Sequence, residues 1–195
     1  SSSGYNAPCF GIKKPSGDIR FIVDFRKLNS VTVPQFYPVP SLESICDKIS
    51  NVKPVLWSTL DCKSGYYSIP LDPKTAHKTA FSTSTSHMQF NRLLMGLSTS
   101  PASYCMALSK LLLQGKLSDN ILQYLDDTLI FSVHNPDIGD MKEHLNLLQK
   151  VFDKFRQAKL RLNPKKCQFA AQSVNFVGHT FSSRGIEVNE DKLTA

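Results

Sequence analysis

"NILQYLDDTLIFS", residues 120–132, sets two adjacent aspartates, Asp126 and Asp127, inside an otherwise apolar run. Adjacent side chains of a continuous strand point to opposite faces, so the pair could not share a ligand there. At a hairpin tip the chain reverses and both can lean the same way. The stretch therefore reads as two short arms, "ILQYL" and "TLIFSV", with "YLDD" at the tip. A solvated turn is the plain alternative, because Asp is a favoured turn residue. Against it stand the apolar flanks and a third aspartate, Asp61, which closes the apolar run "VLWSTLD" (55–61). Two carboxylates about 4 Å apart repel by roughly 4 kcal/mol at an effective dielectric of 20. A hard divalent cation converts that repulsion into coordination. Magnesium held by few carboxylates keeps positions open for phosphate, and two such ions can serve both oxygens of an in-line displacement at phosphorus.

The remaining sequence reads outward from this tip. "PCFGIKKPSGDIRFIVDF" (8–25) is a hairpin about Pro15-Ser16-Gly17-Asp18, and "VTVPQFYPVPS" (31–41), with three prolines, is an extended connector. Ser41 is an N-cap for a short helix with Leu42, Ile45 and Ile49 on one stripe. Ser100 as N-cap with Pro101 at the first helical position opens a second helix that Gly115 stops. Met141, Leu145, Leu148, Phe152 and Phe155 predict a long amphipathic helix, whose Lys150, Lys154, Arg156 and Lys159 form a solvated face. "VNFVGHTFSSRGIEV" (174–188) is a last hairpin about Ser183-Arg184-Gly185. Together these predict an α+β fold in which helices cover one face of an antiparallel sheet.

The totals bound the function. The 195 residues, 41% hydrophobic, suffice for one sizeable core or two small units sharing one. The net charge of +7 favours a polyanionic partner, nucleic acid or an acidic membrane surface, although an ordinary basic protein can carry as much. Five scattered cysteines without a CxxC read as reduced thiols in an intracellular protein, and no apolar run approaches a membrane span. Ser1 marks the chain as a piece of a longer one.

Six ordered blocks then spell a family. "IRFIVDFRKLN" (19–29), "STLDCKSGYYSIPLDP" (58–73), "FNRLLMGLSTSPASY" (90–104), "YLDD" (124–127), "LRLNPKKCQF" (160–169) and "NFVGHTFSSRGI" (175–186) resemble the characteristic blocks of reverse transcriptases. The phrasing is closest to Gypsy-type long-terminal-repeat retrotransposons and their retroviral relatives. The resemblance implies a right-hand polymerase with a ferredoxin-like palm sheet. Fingers would comprise 1–37 and 69–98, and palm with primer grip 38–68 and 99–195, with thumb and ribonuclease H absent from this piece. The implied activity is RNA-directed DNA polymerisation that also copies DNA. The alternatives are a catalytically inactive nucleic-acid-binding remnant and, disfavoured by the ordered blocks, a two-metal nuclease.

By the same resemblance, Asp61, Asp126 and Asp127 with the carbonyl of Cys62 hold two magnesium ions, manganese being an alternative. Tyr66 matches the steric gate against a ribose 2′-hydroxyl; on position alone it reads as a core tyrosine. Lys14 and Arg20 match the triphosphate clamp, against a reading as solvated hairpin charges. Asp24 and Arg26 read as a local ion pair. Met95 and Gly96 match the nucleotide-positioning loop. Met95 stands where glutamine or phenylalanine is usual, Leu94 where proline is usual, and Gly4 also replaces a common proline. Tyr124, Phe176, Val177 and Gly178 fall at the primer grip and catalytic box. Lys165 and Lys166 match the block whose lysine serves pyrophosphate, or else contact nucleic-acid phosphate. His179 has no partner spaced for metal. The implied partners are an RNA/DNA template–primer duplex, dNTPs and the rest of a Pol polyprotein (thumb, ribonuclease H, integrase), with no membrane. The implied location is the cytoplasm within virus-like particles, the nucleus being the alternative.

Overall fold

The computed structural model describes residues 1–15, 17–113 and 115–189. In chain order the elements are β1 (Cys9–Lys13), β2 (Ile19–Val23), α1 (Arg26–Ser30), α2 (Leu42–Val52), β3 (Leu56–Asp61), α3 (Pro73–Ala76), β4 (Phe81–Ser82) and β5 (His87–Met88). There follow α4 (Ser100–Leu112), β6 (Ile121–Tyr124), β7 (Asp127–Ser132), α5 (Asp140–Gln157), β8 (Gln168–Ala171), β9 (Ser173–Phe176), β10 (His179–Ser182) and β11 (Gly185–Val188). This is the expected α+β architecture, helices combined with antiparallel sheets. The chain divides into two compact units, residues 1–36 with 66–103 and residues 37–65 with 104–195.

In the first unit β1 and β2 pair antiparallel from Cys9↔Val23 to Lys13↔Ile19. Lys14 N donates to Asp18 O and Gly17 N to Lys14 O, with Gly17 at φ 87°, a conformation glycine adopts freely. Ser16 of the expected turn lies outside the described residues. Val23, Phe25, Phe81 and Leu94 form a small core. No residue of α1 is fully buried; Leu28, partly buried, packs it against this core beside the preceding Phe25.

The second unit is built on a four-stranded antiparallel sheet, order β6-β7-β3-β8. Side chains alternate along each strand, so Trp57, Thr59 and Asp61 share one face with Asp127, Leu129 and Phe131. That face packs on Ile45 and Ile49 of α2 and on Val174, Phe176 and Phe181 of the second sheet, β11-β10-β9. The aromatic centre is Trp57, fully buried, with ring centroids 6.1 Å from Phe131 and 5.9 Å from Phe181. Removing such a side chain costs about 3–5 kcal/mol. The opposite face carries Ser58, Ile130 and Ser132 and is covered by α5 and α4. Ser41 caps α2 as its position suggests, accepting from Ser44 N.

Several expectations need correction. The buried face of α5 is His144, Leu147, Leu148, Val151 and Phe155, while Met141 and Leu145 are about half exposed. The stripe is rotated because a polar residue, His144, is fully buried in it. Its ring lies 2.8 Å from Ser58 Oγ and 2.9 Å from Ser132 Oγ, and Ser58 Oγ accepts from Ala170 N. Neutral imidazole has one donor and one acceptor, which two hydroxyls satisfy. Ser100 is the first helical residue of α4 and not its cap; its hydroxyl donates to Leu94 O at 2.6 Å. The cap position falls to Thr99, whose carbonyl accepts from Ser103 N. α4 ends at Leu112, Gln114 lies outside the described residues, and Gly115 begins a 3-10 segment to Asn120. The last hairpin is preceded by another strand, β9, joined to β10 through Val177 and Gly178, both at positive φ. β8, unrecognised in the sequence, completes the main sheet with a register break opposite Trp57–Thr59 and Ala170 at φ 48°.

Candidate active site

Asp61 and Asp127 are register partners across β3 and β7, at the end of both strands. Tyr124 pairs with Asp127 across β6 and β7, so the hairpin turn is Leu125-Asp126. Asp127 thus already belongs to the strand, whereas Asp126 sits in the turn; both side chains reach solvent. This differs from both aspartates standing at the tip, and it places Asp127 on the face shared with Asp61 by the alternation above. Leu125 lies at φ 54°, which non-glycine residues seldom adopt. The turn is held from below by Gln123, almost fully buried. Its Nε2 donates to Leu125 O at 3.1 Å and to Cys105 O at 3.3 Å, and its Oε1 accepts from Ser109 Oγ at 2.6 Å. Nothing in the sequence marked Gln123 except its place in a buried strand.

Asp61 is held by its backbone. Asn163 N donates to Asp61 O at 2.9 Å, and the thiol of Cys167 meets Asp61 N at 3.4 Å. Lys166 Nζ lies 3.4 Å from Asp61 Oδ2. Asp61, Asp127 and Lys166 line one cleft of about 200 Å³ with Thr59, Asn175, Phe176 and Val177. Burial pushes the Asp127 carboxyl up, the charges of Asp126 and then Asp61 push it further, and Lys166 opposes the rise. Burial likewise pushes up the thiols of Cys62 and Cys105, with Asp126 adding to both. Gly65, four residues beyond Asp61, admits the close approach of Tyr104, whose Oη would stand 2.5 Å from a Cβ there.

Among the described residues, no three His, Cys, Asp or Glu side chains are gathered closely enough to hold one ion. The carboxylates are aligned by the backbone register but not drawn together at their tips. Asp61, Asp126 and Asp127 nonetheless offer carboxylate oxygens, the donor type that suits a hard cation.

The other anticipated residues divide between the units. Of the primer-grip group, Phe176 has its ring buried in the core, 6.0 Å from Phe181, so only its backbone and edge face the cleft. Val177 and Gly178 form the β9–β10 turn, Tyr124 is half-buried against the core, and Lys165 is exposed without entering the cleft. His179 contacts the carbonyl of Val177. In the first unit Lys14 and Arg20 are exposed on the β1–β2 hairpin. Tyr66 is half-buried in a 3-10 turn, and Met95 and Gly96 are exposed in one loop, Gly96 at φ 97°. Arg26 pairs with Asp24 at 2.6 Å and holds that carboxyl down to about 2.

A four-stranded antiparallel sheet backed by helices, with Asp61 and Asp127 in register at its strand ends, belongs to the fold class of the reverse transcriptases of known structure. More narrowly, residues 12–181 match the reverse transcriptase (RNA-dependent DNA polymerase) family, and the chain belongs to it. It is 36% identical over 200 residues to the retrovirus-related Pol polyprotein from transposon 297 of Drosophila melanogaster, covering all of this chain and 18% of that protein. It is 31% identical over 201 residues to the polyprotein of the same kind from transposon gypsy of Drosophila melanogaster, covering all of this chain and 19% of that protein. The chain thus spans about a fifth of these relatives. Among solved structures, the prototype foamy virus protease–reverse transcriptase CSH mutant matches with TM-score 0.76 and 29% identity over 93% of this chain and 23% of that one. A foamy viral protease–reverse transcriptase in complex with RNA/DNA hybrid matches in fold with TM-score 0.83 and 24% identity, over all of this chain and 25% of that one. The family is generally dependent on a divalent metal.

Proposed function

We propose that the chain is the fingers and palm of an RNA-directed DNA polymerase, adding nucleotides from dNTPs to a primer 3′-hydroxyl on an RNA or DNA template with release of pyrophosphate. The observation that carries this reading is the register pairing of Asp61 with Asp127 and the adjoining turn that holds Asp126. Residues 1–37 and 69–98 would act as fingers and 38–68 and 99–195 as palm, a division close to the two compact units of 1–36 with 66–103 and 37–65 with 104–195. Thumb, ribonuclease H and integrase would belong to the same Pol polyprotein, since the relatives it matches are such polyproteins. The cytoplasm, within particles, is its proposed compartment.

Asp61, Asp126 and Asp127, with the carbonyl of Cys62, would hold two magnesium ions, or manganese in their place. Such ions, when bound, neutralise charge at a reacting phosphate and lower the pKa of a hydroxyl. The chain's own residues supply positioning. Lys14 and Arg20 would grip the triphosphate, Arg through its planar fork. Tyr66 would crowd the sugar 2′ position, and Met95 with Gly96 would floor the nucleotide. The Val177-Gly178 turn, at the cleft shared by Asp61 and Asp127, would carry the primer end, with Tyr124, Phe176, Lys165 and Lys166 around it. Lys166 would exchange its contact with Asp61 for a phosphate.

Primer extension on poly(rA)/oligo(dT) with magnesium tests the reading in the full-length protein. Asp126→Asn is expected to lower the rate at least about a thousandfold while duplex affinity stays within about twofold. Extension by the variant at the unsubstituted rate overturns the assignment. Duplex binding without extension by the unsubstituted protein identifies an inactive remnant instead.

A further inference from the structure

The loop between Leu94 and Ser100 has no regular secondary structure of its own, yet its backbone is tied at several points. Ser100 Oγ donates to Leu94 O at 2.6 Å, and Ser100 N donates to Leu97 O. Between these ties, Asn29 of α1 inserts its amide, 67 residues distant in sequence. Its Nδ2 donates to Gly96 O at 2.8 Å, and its Oδ1 accepts from Ser98 N at 2.9 Å. A side-chain amide carries both a donor and an acceptor at one end, so it can complete two backbone partners at once. Asp at this position would keep the bond from Ser98 and lose the donor to Gly96. Ser would be too short, and Gln one methylene too long. Gly96 itself stands in the left-handed region, while a Cβ there would meet only ordinary contacts at 3.7 and 3.8 Å. The need at Gly96 is therefore conformational, and Asn29 holds the carbonyl that follows that unusual φ.

We propose that Asn29 is a positioning residue for the incoming nucleotide: its amide clamps Gly96 and Ser98 and so sets the shape of the loop that presents Met95 and Gly96. This rests on the polymerase reading above and names a residue that acts through the loop without touching substrate itself. α1 meets the small core through Leu28, which is partly buried, and not through Asn29, so loss of the clamp should leave that core contact in place.

The test uses the full-length polymerase with Asn29→Ala and Asn29→Asp, in primer extension and in amide hydrogen exchange. Asn29→Ala is expected to raise the KM for dNTP about tenfold with kcat within about twofold, and to speed exchange at Ser98 N–H by a similar factor. Asn29→Asp is expected to retain protection of Ser98 N–H and still raise KM, because the Gly96 carbonyl loses its donor. Unchanged exchange at Ser98 in the Ala variant overturns the clamp. Faster exchange with an unchanged KM, or an equal loss in kcat and kcat/KM with KM unmoved, overturns the positioning role. Absence of extension by the unsubstituted polymerase overturns the reading beneath the proposal, whereas the exchange result still decides the clamp.

Discussion

Asp127 shows the tension between a stable residue and a useful one. Its carboxyl is raised by burial and by the charges of Asp126 and Asp61, so ionising it costs the folded chain more than the unfolded one. The native state then binds a proton more tightly than the unfolded state. Its stabilising contribution is complete below the unfolded value of 3.8 and is lost as pH rises through the folded value. At neutral pH, Asp127→Asn is therefore expected to raise the melting temperature while abolishing extension; a lower melting temperature would contradict burial and like charge as the origin of the shift. Tyr66 belongs to the same scale. Tyr66→Ala is expected to admit ribonucleotides in single-nucleotide incorporation, and unchanged discrimination would remove it from the sugar site. The aspartates stand out in the sequence because each interrupts or closes an apolar run, while a solvated turn accounts for such a pair equally until the ordered blocks are read with it. Lys166, Cys167 and Gln123 were not readable in their roles: each acquires its meaning from a contact spanning a fold, such as the 105 residues between Lys166 and Asp61.

At the scale of elements, local rules carried furthest where the signal was chemical and adjacent. Ser41 capped α2, the proline-rich connector stayed irregular, and the β1–β2 hairpin formed around its glycine. Periodicity served less well on α5, where a histidine occupies the buried face and two apolar residues face outward. Burial lowers the His144 pKa, since no charge partner compensates for desolvation. The unfolded chain therefore binds a proton that the native chain resists, and stability is lost as pH falls below about 6.5. Denaturant titrations at about pH 7.5 and about pH 5.5 should show a lower unfolding free energy at the lower pH, and His144→Phe should flatten that difference. A pH response unaltered by the substitution would assign it elsewhere. Gln123→Leu leaves the Leu125 and Cys105 carbonyls without their amide donor and the Ser109 hydroxyl without its acceptor, and is expected to cost about 2–4 kcal/mol of stability by chemical denaturation.

Over the whole molecule, a net charge of +7 and a family membership spanning residues 12–181 agree in pointing to a polyanionic partner. Backbone recognition of nucleic acid releases counterions, so duplex affinity should fall about linearly on logarithmic axes as salt rises. A flat response in a filter-binding or anisotropy titration would count against it. No described helix is long and apolar enough to cross a membrane. By itself, the sequence determined the inventory: which residues are chemically conspicuous, that Ser41 caps α2, and which family the blocks spell. Each block and the cap depend on neighbours a few positions apart, the range over which side-chain alternation and capping act. Only the tertiary structure decided the register of β3 against β7, which makes Asp61 and Asp127 opposite one another, and the packing that buries His144 and Gln123. Register is chosen by the summed burial of Trp57, Leu129 and Phe131 against α2 and the second sheet, a long-range competition that no short window of sequence contains.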